Sequence, residues 1–204
     1  MNTSQITSQQ FKPQNISIKS QYIIGAILLA LMVITRGNIS AHLQDASWAI
    51  FFLVGFYLRD SSIVRLGFPL FFLAAFAIDL VVIDAQGGVH YCFTPAYPFL
   101  IPAYASLWFA GKWLAKHYQE NVRGLFQLAL SAAIGVSVCF LISNAGFYFF
   151  SDKFEVMSIS QYVSAVAQYL PEYLKTTAIY LGFAALVHSV LVQSKKLSGE
   201  RAHS

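Results

Sequence analysis

Residues 125–150, LFQLALSAAIGVSVCFLISNAGFYFF, contain no charged side chain. A run this long and this apolar has few ways to fold. In a bilayer every backbone N–H and C=O must find its partner within the chain, which leaves helices as the economical solution. Similar runs occupy most of the remaining sequence. Charged residues make up 11% of the chain, against about 25% in an ordinary soluble domain. The reading is an all-α integral membrane protein with no room for a soluble catalytic domain.

Six apolar spans are expected, at roughly 22–35, 46–58, 63–83, 95–114, 125–150 and 173–192. The second is too short for a bilayer as written. It is therefore expected to start near Ala41, with His42 and Asp45 on its first turn. Pro98 and Pro102 fall in the first turns of the fourth, and Pro102 should bend it. Residues 151–172 read as a loop carrying a short amphipathic helix. Polar tails at 1–20 and 194–204 flank the domain at 21–193, and the first lacks a signal-peptide pattern. With six spans both tails share one side. Lys12, Lys19, Arg59, Arg65, Lys112, Lys116, Arg123, Lys195, Lys196 and Arg201 fall there, 10 of the 13 basic residues. Only Arg36, Lys153 and Lys175 fall opposite. The positive-inside rule makes both termini cytoplasmic. The modest net charge of +4, concentrated at membrane edges, argues against nucleic acid as a partner.

The one long polar interruption rich in special residues is 84–104, DAQGGVHYCFTPAYPFLIPAY, which faces outward in this arrangement. Gly87 and Gly88 loosen its first half, and Pro95, Pro98 and Pro102 stiffen its second. His90 precedes Cys92 by two positions, so in extended backbone the two side chains point the same way. A neighbouring imidazolium favours the thiolate, which is both a soft metal donor and a nucleophile. One thiolate does not hold a bare ion, but it can serve as axial ligand to a metal already caged in a macrocycle. Elsewhere a lone cysteine is usually a small apolar residue, the reading for Cys139, and two cysteines make no disulfide framework.

Asp79 lies inside the third span, where a carboxylate is either functional or hydrogen-bonded structure. Trp48, Tyr91, Phe93, Tyr97, Tyr104, Tyr148, Tyr162 and Tyr169 crowd the outer half. An interfacial belt explains such aromatics, and so does the lining of a pocket for a large flat ligand. Asp45, Asp79 and Asn144 are the polar groups placed to orient that ligand. Ala26 and Ala30, preceded by Gly25, form a small-xxx-small pair that serves either internal packing or a partner helix. There is no phosphate loop, HExxH, CxxC or GxSxG motif.

The segments LQDASWAIFFLVGFYLR and GGVHYCFTPAYPFLIPAY resemble the BtuM family of bacterial vitamin uptake proteins. The resemblance runs from about residue 22 to 192. It implies a six-helix bundle like the substrate-binding S components of energy-coupling factor transporters, in the inner membrane, with cobalamin as ligand and no other cofactor. In that family the outer-loop cysteine coordinates the cobalt of cobalamin and is linked to removal of its upper cyanide ligand. Cys92 is the matching position. Ala26 and Ala30 match the AxxxA motif by which relatives dock on the transmembrane coupling subunit. Whether transport runs through that subunit and its ATPases or through toppling of the protein stays open. His90, Tyr91, Phe93, Tyr97, Tyr104, Asp45, Trp48, Asp79 and Asn144 are the further ligand-binding candidates from the residues themselves. The competing reading is a membrane thiol enzyme with Cys92 as nucleophile and His90 as base. A structural membrane subunit is the plainest alternative.

Overall fold

The structure is a computed structural model and describes residues 17–37, 39, 43–58, 61–85, 94–151 and 157–201. All regular structure among them is helical. The helices are α1 (Ile18–Arg36), α2 (Ser47–Tyr57), α3 (Ser61–Ala85), α4 (Leu100–His117), α5 (Val122–Phe150), α6 (Ile159–Ala167) and α7 (Leu170–Arg201), with one 3-10 turn, Tyr97–Phe99, leading into α4. Helix starts follow local chemistry. The Ser17 hydroxyl accepts the Ser20 N–H, Asn121 accepts from Gly124, and Ser158 with Gln161 forms a reciprocal capping box. Pro102 falls in the first turn of α4, where its missing N–H leaves no internal bond unmade.

Three helical stretches, Ile18–Arg36, Val122–Phe150 and Ile159–Leu191, are long and apolar enough to cross a membrane. Two shorter apolar helices, Ser47–Tyr57 and Leu66–Val82, accompany them. The short helix expected between the fifth and sixth spans is α6. α7 runs on to Arg201, so the second tail is largely a helical extension.

α2 corrects an expectation. It does not start near Ala41; it begins at Ser47, and Asp45 precedes it. His42 lies outside the described residues. At about 1.5 Å per residue α2 is roughly 16 Å long. Its shortness reflects its place: Ser47 and Ala49 through Phe56 are buried, and α1, α3, α4, α5 and α7 all pack on it. A helix sheathed by other helices need not match the bilayer. Lipid tails give apolar side chains no reason to leave them, so such a core rests on close packing. The tightest point is the crossing of α2 and α4. A Cβ added at Gly55 would overlap the Trp108 carbonyl, and one at Gly111 would overlap the Phe52 carbonyl. The two glycines let the backbones touch.

Contacts at the helix ends show how the bundle is strung. Arg36 ending α1 meets Ser47 starting α2, Asp79 late in α3 and Tyr104 early in α4. At the opposite end Tyr57 of α2, Tyr118 after α4 and His188 of α7 gather.

Candidate functional site

The first end holds the polar centre of the molecule. The Arg36 side chain is 10% exposed and grips Asp79 side-on: Nε donates to Oδ1 and Nη2 to Oδ2, both at 2.7 Å. Paired bonds of this kind match the planar guanidinium to the planar carboxylate. Nη1 turns the other way, towards Asp45 Oδ2 at 3.2 Å, Ser47 Oγ at 3.0 Å and the Tyr104 hydroxyl at 3.1 Å. The Tyr97 hydroxyl donates to Asp79 Oδ2 at 2.7 Å. Asp45 accepts from the Ser47 N–H and hydroxyl, at 2.9 and 2.6 Å. Thr35 Oγ1 accepts the Ala46 N–H at 3.2 Å while donating back to the Leu31 carbonyl. The start of α2 is thereby tied to the end of α1.

Two carboxylates thus share one guanidinium, and the cluster has net negative charge. A partly buried arginine without them would be costly; with them its donors are met. Asp45 is the open member, with 44% of its side chain exposed against 16% for Asp79. Aromatic rings back the polar groups. Tyr104 stacks on Phe51 at 4.5 Å, and Tyr97 meets Phe76 edge-on at 5.5 Å. Trp48, one residue into α2, stacks on Tyr173 of α7 at 4.3 Å, and Phe140 stands against the same ring. Gln44 bonds Glu172 at 2.7 Å, and its carbonyl accepts from Tyr180. The Gln44–Trp48 stretch is therefore pinned to α1 on one side and α7 on the other.

Of the expected ligand-binding residues, the structure brings Asp45, Asp79, Tyr97 and Tyr104 together on Arg36, with Trp48 beside them. Asn144 goes elsewhere. Its Nδ2 donates to the Phe140 carbonyl, and its own oxygens accept from Tyr162, so it fastens α6 to α5. Cys92, His90, Tyr91 and Phe93 lie outside the described residues. Cys139 is fully buried in α5. Ala26 and Ala30 are both exposed on α1. Among the described residues no three His, Cys, Asp or Glu side chains gather to hold a bare metal ion.

Arg36 is the site residue that the sequence alone does not mark, since it lies just past the first expected span at 22–35. The signal was present: a carboxylate inside an apolar helix needs a cation, and Arg36 opens the polar stretch on that side.

The fold and the site define an all-helical protein able to cross a membrane, with a charged cluster at one end of its bundle. No family model matches the sequence. No curated protein matches it.

Proposed function

We propose that this chain is a cobalamin-binding transport protein of the bacterial inner membrane. In this reading it has six spans and an S-component-like bundle, both termini are cytoplasmic, and the Arg36 end faces the periplasm. Cobalamin arrives as cargo at that end, and the Cys92 thiolate becomes an axial ligand of its cobalt, displacing cyanide where cyanocobalamin is bound. Ala26 and Ala30 dock on an energy-coupling-factor transmembrane subunit.

The observation that carries the reading is the 2.7 Å bond from Tyr97 to Asp79. Asp79 precedes the 87–93 segment in sequence and Tyr97 comes after it, so this bond joins the stretches on either side of Cys92. Support also comes from the character of the end. The exposed Asp45 carboxylate suits the amide-bearing rim of a corrin, and the Trp48 and Tyr173 rings suit its apolar face. The exposure of Ala26 and Ala30 favours an intermolecular use over packing inside this bundle.

The test is the visible spectrum of the protein purified from cells grown with cobalamin. The expected result is a coloured protein whose bound-cobalamin bands shift back in Cys92→Ser and stay put in Cys139→Ser. A colourless protein would overturn cobalamin binding. An unchanged spectrum in Cys92→Ser would show that the sulfur never reaches cobalt.

A further inference from the structure

A second feature, independent of the cobalamin reading, runs along the bundle between α1 and α7. α1 and α7 stand on either side of α2 and leave between them a cleft of about 670 Å³. Leu53 of α2 lies in its floor. Ile23, Ile27 and Phe183 wall it and are 61%, 62% and 69% exposed. Along α1 it extends from Ser17 to Leu31, about 21 Å of helix. Polar groups collect at one end. Ser17 and Ser20 sit there with their hydroxyls 2.9 Å apart, and so does His188, whose Nδ1 lies 3.2 Å from the Tyr57 hydroxyl. Lys19 is exposed in the same first turn of α1. Lys112, Lys116 and Arg123, at the end of α4 and the start of α5, make this the basic end of the bundle.

Size selects the occupant. A hydrocarbon chain is about 4 Å across at van der Waals contact and fits with room to spare. Charge selects the headgroup. Hydroxyl donors at the mouth, with Lys19 exposed in the same turn of α1, complement an anion, and each basic residue near an anionic lipid surface is worth about 1 kcal/mol. The face bearing Ala26 and Ala30 does not line the cleft, so this surface differs from the proposed docking face. We propose that the α1–α2–α7 cleft seats one anionic phospholipid, with an acyl chain against Leu53 and the headgroup at Ser17, Ser20 and Lys19.

The test is native mass spectrometry of the full chain in detergent, stripped of lipid and then mixed with phosphatidylglycerol or phosphatidylcholine of equal chain length. The wild type should retain one lipid, with phosphatidylglycerol preferred about fivefold, the factor equal to roughly 1 kcal/mol. Ile27→Trp fills the cleft from an exposed position and should abolish retention. Leu141→Trp, on α5 and outside the cleft lining, should not. Lys19→Gln should bring the two lipids to equal retention. If Ile27→Trp does not purify as a folded protein, Phe183→Trp is the second filling variant, with the same expected loss. Retention of no lipid, equal retention of both lipids by the wild type, or wild-type retention in a folded filling variant would each overturn the proposal.

Discussion

Arg36 and Asp79 meet through two hydrogen bonds of 2.7 Å, although 43 positions separate them in sequence. The pair joins the end of α1 to α3, and the other guanidinium nitrogen reaches Asp45, Ser47 and Tyr104. Truncating Arg36 leaves the Asp79 carboxylate, 16% exposed, without the cation that balances it. Arg36→Met should lower stability by about 3 kcal/mol, as broken buried ion pairs do. Asp79→Asn should also destabilise, and the double variant Arg36→Met/Asp79→Asn should lose clearly less than the sum of the two single variants. Thermal unfolding in detergent measures all three, and additive losses would show that the two residues do not act as a pair.

Tyr97→Phe keeps the ring and removes the hydroxyl that donates to Asp79. A hydrogen bond to a charged group is worth about 1.5–3 kcal/mol. With the stretches on either side of Cys92 no longer joined, cobalamin affinity should fall by about tenfold, with the helical circular-dichroism signal unchanged. Titration of the variant against the wild type checks this, and equal affinities would remove Tyr97 from the site.

Gly55 and Gly111 should tolerate no side chain. At each, a Cβ would run into backbone of the facing helix, which cannot turn aside as a side chain could. Gly55→Ala and Gly111→Ala should each cost several kcal/mol, at the severe end for single substitutions. Gly182→Ala is the control. It meets nothing within 4 Å and replaces glycine in a helix interior, so it should stabilise by up to about 1 kcal/mol. Melting temperatures of the three variants decide the matter.

The two cysteines should separate by accessibility. Cys139 has no exposed surface, so a membrane-impermeant thiol reagent should not label it in intact spheroplasts. The proposed topology puts Cys92 on the labelled side. Labelling of Cys92 only after lysis would reverse the orientation and with it the uptake reading.

Ala26→Leu and Ala30→Leu should leave stability within about 0.5 kcal/mol, since both positions are exposed. Uptake in cells should fall while cobalamin binding by purified protein persists. Loss of binding in these variants would move the motif from docking to internal packing.

The class of this protein was legible in local composition. Helices α1, α3, α5 and α7 lie where apolar runs predict them, because a run with few polar side chains satisfies its backbone most economically as a helix. The oddity of Asp79 was legible too, as a carboxylate where carboxylates are costly. What the folded chain alone decided is which residues meet. α2 looks like a truncated span, yet it is a sheathed core helix starting at Ser47, because five neighbouring helices enclose it. Arg36 looks like part of a connection, yet it ends α1 and gathers Asp45, Asp79 and Tyr104. Asn144 looks like a polar group for a ligand, yet it fastens α6 to α5. Composition and periodicity are properties of adjacent residues, whereas these pairings span up to 68 positions and depend on how close two backbones come. That distance is set at the Gly55–Gly111 crossing by the absence of side chains, and only packing in three dimensions shows which glycines face each other.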